Sequence, residues 1–137
     1  GMAVSGGEEV GGIIWPRFSL AKDGIYAAAK MCEMACDRKL SELVAELPVY
    51  YNSKYKPEAI GQAAKERGLS AAKKHAEGSG GRLTLIDGVR ADFEDGWVIV
   101  RASGTENAMR IFAEAKTQKR AEALMKEFKD VVEKALR

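Results

Sequence analysis

The fold is decided by Trp97-Val98-Ile99-Val100-Arg101-Ala102-Ser103-Gly104-Thr105-Glu106-Asn107. Apolar and β-branched residues fill the first part of this stretch, which predicts a buried strand ending near Arg101. A turn of small, hydrogen-bonding residues follows directly, because Ser, Gly and Asn are typical of turns. A further strand is predicted from about Ala108 to Ala115. The stretch therefore predicts two strands joined by a short polar loop.

The polar loop has the chemistry of a phosphate-binding turn. Arg101 offers a planar fork of donors that suits a phosphate group. Ser103 and Thr105 offer hydroxyl groups, and Gly104 lets the backbone approach an anion closely. Arg110 on the next strand adds a second positive charge. The residues alone leave an alternative to phosphate binding, namely a solvated hairpin loop with an ordinary Ser-Gly-Thr turn.

The surrounding sequence predicts an α+β domain. A strand is predicted over Val49 to Tyr55, and a helix from Pro57 to about Glu77. Two further strands, Arg82 to Ile86 and Val89 to Phe93, are joined by Asp87-Gly88, a strong type I′ hairpin signal. After a second turn at Asp95-Gly96, the chain ends with apolar residues at helical spacing over Lys119 to Leu136. The order of elements predicts an antiparallel sheet with helices on one face.

The first part of the chain has a different pattern. Ile13-Ile14-Trp15 is a short apolar run stopped by Pro16, and it predicts a buried strand. Asp23 precedes a helical pattern, Ser41 is predicted to cap a second short helix, and Pro48 ends it. One strand and two helices do not close a sheet, so we expect an incomplete α/β fragment over residues 1–47 and a separate domain over residues 48–137. Its strand would then pair with a missing part of the protein or with a second copy.

The bulk composition excludes several classes of protein. The formal net charge is only +2 over 137 residues, and no stripe of alternating aromatic and basic residues is visible, which argues against nucleic-acid binding. No apolar run is long enough to span a bilayer, and no secretory signal is visible, so no membrane partner is expected. Cys32 and Cys36, four residues apart, are predicted to be buried reduced thiols in a cytoplasmic protein.

Beyond the loop itself, residues 101–115 resemble a known family. They are similar to the phosphate-binding loop and following strand of the α-D-phosphohexomutases of the phosphoglucomutase and phosphomannomutase type, whose usual form is Arg-x-Ser-Gly-Thr-Glu-Pro. Asn107 stands where proline is usual. Asp87-Gly88-Val89-Arg90 also resembles the family's last domain. The resemblance implies that the chain is the end of domain three followed by domain four, a TBP-like fold of antiparallel sheet and helices.

A second match lies near the start of the chain. Gly7-Glu8-Glu9-Val10-Gly11-Gly12 resembles the family's sugar-recognition loop, which reads Gly-Glu-x-Ser-Gly-His in many members. The resemblance implies that Glu8 accepts hydrogen bonds from sugar hydroxyls. Val10 occupies the family's serine position in this sugar-binding loop, and Gly12 its histidine position. The alternative is a tight glycine-rich turn with exposed acids.

The resemblance implies a hexose phosphate as ligand and a role in moving phosphate between the 1 and 6 positions through a bisphosphate. Family members use a phosphoserine in domain one and Mg²⁺ on an Asp-Gly-Asp loop in domain two. Neither motif is present in this sequence. We therefore expect no catalytic residue, no metal ligand and no cofactor in this chain, and no activity from it alone. The alternative function is a stand-alone, non-catalytic phospho-sugar-binding module.

Overall fold

The computed structural model describes residues 3–8 and 10–137. The chain divides after Pro48 into two compact units. No helix in the described part of the chain is both long and apolar enough to cross a membrane. The elements before Pro48 are β1 (Gly6–Gly7), β2 (Ile13–Trp15), β3 (Ser19–Lys22), α1 (Gly24–Asp37) and α2 (Leu40–Ala45).

The strands of this first unit form a small antiparallel sheet in the order β1-β2-β3. The expectation that Ile13-Ile14-Trp15 lacks strand neighbours is wrong for the backbone, because β2 pairs on both sides. Burial is a separate matter, since none of the described residues before Pro48 is buried. The first unit therefore has secondary structure without a core.

The two helices of the first unit differ in how they begin. Asp23 caps α1 by accepting a hydrogen bond from the Tyr26 amide at 2.7 Å, as the sequence predicts. The cap prediction for α2 is wrong, because Lys39 and not Ser41 precedes its first residue, and no side chain caps it. The prediction of buried thiols is also wrong: Cys32 and Cys36 are free but exposed, since no described element covers this face of α1.

The second unit has one sheet and two long helices. The elements are β4 (Tyr51–Tyr55), α3 (Gly61–Gly78), β5 (Arg82–Thr84), β6 (Val89–Phe93), β7 (Gly96–Ala102), β8 (Met109–Ala115) and α4 (Gln118–Leu136). All neighbouring strands are antiparallel, in the order β4-β8-β7-β6-β5. The α+β class and the antiparallel sheet predicted from the sequence are confirmed.

The core of the second unit follows from strand alternation. Along β8, buried and half-buried residues alternate strictly, because successive side chains point to opposite faces. Phe128, Leu124 and Val132 of α4 pack with Ile111 and Met109 on the buried face. Both helices thus cover one face of the sheet. The loop that joins β7 and β8 lies at one end of the strands.

The turns differ in detail from the sequence prediction. Asp87-Gly88 was expected as a two-residue type I′ turn, yet β5 ends at Thr84, and four residues separate it from β6. Gly88 alone has a positive φ, 90°, whereas Asp87 does not. Asp95-Gly96 was expected as the next turn, but Gly96 already pairs with Phe93 and Ala115 as part of β7.

Candidate functional site

The hairpin of β7 and β8 carries the loop that the sequence singled out. Arg101 and Arg110 lie directly opposite each other in the strand register, and Ala102 pairs with Met109. The Ser103 amide donates to the Ala108 carbonyl at 2.9 Å and closes the loop at its base. Because both arginines precede or follow the loop by few residues on paired strands, the hairpin places two guanidinium groups at one end of the sheet.

A cavity of about 290 Å³ opens at this end of the sheet. The structure brings together all five residues predicted to bind phosphate at this one cavity. Its lining is Asp87, Arg101, Ala102, Ser103, Gly104, Thr105 and Arg110. Two cations, two hydroxyls and an unhindered backbone segment at one cavity form a set of donors that can surround an anion.

Ser103 is the buried member of the loop, with an exposed fraction of 6%. Its Oγ accepts a hydrogen bond from the Glu106 amide at 3.2 Å, so its hydroxyl shapes the turn. Its carbonyl accepts from Lys65 Nζ of α3 at 2.7 Å. Hydrogen bonds from Glu106 and Lys65 thus hold Ser103 in place, and the exposed residues Gly104 and Thr105 follow it.

Gly104 and Thr105 form the exposed tip of the loop. A Cβ built on Gly104 would meet no atom within 4 Å, and its φ is not positive. Neither backbone strain nor a protein neighbour therefore requires glycine at this position. The space on the side where a Cβ would stand is open, so a bound group can approach the backbone closely there.

Each arginine of the cavity has a carboxylate partner. Arg101 NH1 donates to Asp87 Oδ2 at 3.0 Å, and Arg110 NH2 donates to Glu106 Oε2 at 3.0 Å. Glu106 also accepts from Lys56 Nζ at 2.6 Å. The hydrogen bonds from Lys56 and then Arg110 lower the pKa of Glu106 to about 2, so this carboxylate is ionised under ordinary conditions.

Sequence reasoning missed four residues of this environment: Asp87, Lys56, Lys65 and Glu106. Glu106 lies inside the quoted motif, and its position four residues before Arg110 was a usable signal. The other three come from distant parts of the chain. Lys65 is 38 positions from Ser103, and nothing in the local sequence of α3 marks it as a loop contact.

The second predicted site lies in the first unit, where Glu8 directly follows β1. The Gly11 amide donates to the Glu8 carbonyl at 3.0 Å, which makes a tight turn. The Glu8 carboxylate contacts the Lys22 ammonium of β3. Val10 is exposed at the tip of this turn, and Glu9 lies outside the described residues. Lys22 also fills the space beside Gly12, since a Cβ there would lie 2.5 Å from Lys22 Cδ.

Two other kinds of site bear on the chemistry of this chain: the histidine and a metal site. His75 Nε2 lies 2.7 Å from Glu127 Oε1 and links α3 to α4, away from the loop cavity. Over residues 3–8 and 10–137, no three His, Cys, Asp or Glu side chains come together as a group able to hold a metal ion.

Comparisons with known proteins fit this architecture. The family model described as phosphoglucomutase/phosphomannomutase, C-terminal domain, matches residues 33–131. The model for the alpha/beta/alpha domain III of the same family matches residues 1–51. A phosphoglucomutase/phosphomannomutase of Thermococcus kodakarensis is 40% identical over 134 residues, which cover 96% of this chain and 29% of that protein.

Other relatives carry related names. A probable phosphoglucosamine mutase of Methanosarcina acetivorans is 45% identical over 114 residues, covering 83% of this chain and 26% of the relative. The chain thus spans less than a third of the length of these relatives. A crystal structure of a phosphoglucomutase/phosphomannomutase family protein from Burkholderia thailandensis has the same fold, with a TM-score of 0.78 and 21% identity over 97% of this chain and 28% of that one. The chain belongs to the phosphoglucomutase/phosphomannomutase family and corresponds to its C-terminal portion.

Proposed function

We propose that this chain is the hexose-phosphate-binding C-terminal portion of a phosphohexomutase, and that its β7–β8 loop holds the phosphate group that is not reacting. The observation that carries the proposal is the cavity at which Arg101, Ser103, Gly104, Thr105 and Arg110 converge. Binding of the phosphate group that does not react would orient the rest of the ligand, because contacts remote from the reacting atoms position the atoms that react.

The chemistry of the cavity favours a phosphate monoester over a neutral sugar. Arg101 and Arg110 supply two forked guanidinium groups, which match the oxygens of a dianion better than lysine does. Thr105 and Gly104 supply donors at the exposed tip, where a ligand arrives from solvent. Bound phosphate would take over the Arg101 donor that pairs with Asp87.

The sugar-recognition part of the proposal rests on Glu8. An ionised carboxylate accepts hydrogen bonds from hydroxyl groups, and Lys22 holds this carboxylate in place. Val10 lacks the hydroxyl that many family members have here, so its contact with a sugar would be apolar only. Exchange of Glu8 for Gln is expected to weaken the hydrogen bonds that this turn accepts from sugar hydroxyls.

We further propose that the chain alone transfers no phosphate. The sequence carries neither the serine loop nor the Asp-Gly-Asp loop of the parent enzyme, and phosphoryl transfer depends on a donor and on a metal that offsets developing charge. A preceding part of the parent protein would supply both, including the Mg²⁺ site. The assay is conversion of glucose 1-phosphate to glucose 6-phosphate by the chain alone, and product formation would contradict this part of the proposal.

The binding test is titration of the 137-residue chain with glucose 6-phosphate, followed through the backbone amide signals of residues 101–110. Arg101→Ala is expected to weaken binding by about ten- to a hundredfold, since a hydrogen bond to a charged group contributes about 1.5–3 kcal/mol. Arg82→Ala is the matched control, because Arg82 lies on β5 with a largely exposed side chain and does not line the cavity. Equal affinity of both variants, or no response of the loop, would contradict the proposal.

A further inference from the structure

The cavity that is proposed to bind phosphate contains a carboxylate of its own. Asp87 lines the cavity together with Arg101, and its Oδ2 accepts a hydrogen bond from Arg101 NH1 at 3.0 Å. A negative charge at a site for an anion opposes binding twice. It occupies donors that the ligand needs, and it repels the ligand's own charge.

The placement of Asp87 is built into the backbone. Gly88 holds a φ of 90°, and a Cβ on this residue would lie 2.3 Å from the Val100 carbonyl oxygen and 2.9 Å from Arg101 Cβ. Only a residue without a side chain lets the 85–88 loop press this closely against β7. The close approach sets Asp87 beside the Arg101 guanidinium, so the ion pair follows from the path of the chain.

The two carboxylates near the cavity differ in their surroundings. Glu106 is held by Lys56 as well as by Arg110, and its amide bonds to Ser103, so it belongs to the framework of the loop. Among residues 3–8 and 10–137, Asp87 pairs only with Arg101, and its side chain is 74% exposed. It is therefore free to turn into solvent when another anion takes its place.

From this geometry we infer that Asp87 competes with phosphate for Arg101: its carboxylate pairs with the guanidinium group, lowers the affinity for phosphate and pairs with Arg101 again when phosphate leaves. Asp87 is thus a positioning residue that acts through Arg101. The inference rests on the proposed function, because it concerns the same cavity, and it predicts that removing a polar contact strengthens binding.

The test compares Asp87→Asn with the unchanged 137-residue chain, using inorganic phosphate as the probe and the amide signals of residues 101–110 as the readout. Asparagine keeps the shape of aspartate and removes its charge. Because an exposed ion pair contributes about 0.2–1 kcal/mol, we expect phosphate to bind about 1.4- to fivefold more tightly. Damage to the loop would weaken binding, so a gain in affinity separates this role from a structural one.

Two further variants make the result specific. Asp87→Glu keeps the charge and is expected to retain the affinity of the unchanged chain. Asp95→Asn changes the net charge equally and breaks a similar pair, with Arg120 at 2.9 Å, but lies at the opposite end of β7 and is expected to have no effect. A gain of equal size in either variant would overturn the inference, because it would not come from the charge of Asp87.

The outcomes separate the two proposals. If the unchanged chain binds phosphate at the loop and Asp87→Asn binds equally or less tightly, the inference is wrong and the proposed function stands. If only Asp87→Asn binds measurably, the inference is supported in its strongest form. If neither protein binds phosphate at tens of millimolar, the proposed function and the inference both fail.

Discussion

The two units of this chain differ in how their secondary structure is stabilised. Residues 49–137 contain the whole buried core of the described chain, including fully buried Phe128, Leu124 and Val98. Residues 3–48 contain helices and strands of ordinary geometry, yet Ile25 is 88% exposed, and Leu20 and Phe18 are also largely exposed. Correct helix capping and strand pairing are thus present in both units, but burial of apolar side chains is present in one.

The comparison shows which features of a sequence specify local structure and which specify a domain. Asp23 begins α1 whether or not the helix has a packing partner, because the cap is a local hydrogen bond. A core requires apolar faces from several elements to meet, and none of the described residues of the first unit is buried. Most helical stability comes from such packing, so we expect the two units to respond very differently to mutation.

The largest expected difference concerns apolar side chains. Phe128→Ala removes a fully buried ring from the core of the second unit and is expected to cost about 3–5 kcal/mol of unfolding free energy. Leu20→Ala removes a mostly exposed side chain from the first unit and is expected to stay within about 0.5 kcal/mol. The measurement is equilibrium unfolding in urea.

The two tryptophans allow each unit to be followed separately. Trp15 lies in β2 and Trp97 in β7, so fluorescence in a Trp15→Phe background reports the second unit alone. Similar losses from Phe128→Ala and Leu20→Ala would contradict the view that only residues 49–137 have a core.

A smaller difference is expected between two glycines of similar conformation. Gly11 of the first unit and Gly88 of the second have φ values of 84° and 90°. A Cβ on Gly11 would meet no atom within 4 Å, whereas one on Gly88 would collide with the Val100 carbonyl. Gly11→Ala should therefore cost only the strain of a positive φ, about 1 kcal/mol, and Gly88→Ala about 2–4 kcal/mol, since strain and overpacking add.

Thermal unfolding tests this difference, with Gly11→Ala followed through Trp15 in a Trp97→Phe background and Gly88→Ala followed through Trp97 in the Trp15→Phe background. Gly88→Ala should also disturb the amide signals of Arg101, because the 85–88 loop rests on that residue. If the two variants lose the same stability, the close approach at Gly88 contributes nothing.

The smallest effect concerns pH. Lys56 and Arg110 lower the pKa of Glu106 from its usual 4.5 to about 2, so the folded chain favours the ionised form. The stabilisation is fully present above about pH 4.5 and is lost as the pH falls towards 2. We expect Glu106→Gln to be less stable than the unchanged chain at neutral pH, and the difference to shrink across this window.

The matched variant in the first unit is Glu46→Gln, which breaks the pair of Glu46 with Arg38 at 2.6 Å. It is expected to leave the unfolding of residues 49–137 unchanged at every pH. A pH-independent loss in Glu106→Gln would show that the loop does not depend on the charge of this carboxylate.

The sequence predicted the elements that have a clear period and misplaced those that tertiary contacts override. The strands β7 and β8 and the helix α4 were predicted closely, because alternation and helical spacing are local signals. The helix after Pro57 was expected to begin there, yet α3 begins at Gly61. The Ala59 amide instead bonds to the Asn107 carbonyl at 2.8 Å, and the Met109 amide to the Pro57 carbonyl at 2.9 Å. Pairing with the start of β8 thus keeps this segment extended.

The same division applies to the candidate site. The five residues predicted to bind phosphate were found together, because they lie within ten positions of one another on a single hairpin. Asp87 and Lys65 were not predicted, because their contacts depend on where a loop and a helix settle on the sheet. The exposed Cys32 was mispredicted for a related reason: a helical pattern shows which residues share a face but not whether anything covers it.

One face of α3 consists of very small residues. Ala64, Gly68, Ala72 and Ala76 recur at intervals of four and are buried, and a Cβ on Gly68 would lie 2.3 Å from Met109 Sδ. The helix therefore packs closely against the sheet, because its buried face carries only very small side chains. Lys65 is next to Ala64 in this helix, and its ammonium donates a hydrogen bond to the Ser103 carbonyl. A bulkier residue at Gly68 would collide with Met109 and push α3 away from the sheet, and the hydrogen bond from Lys65 to the Ser103 carbonyl would lengthen with it.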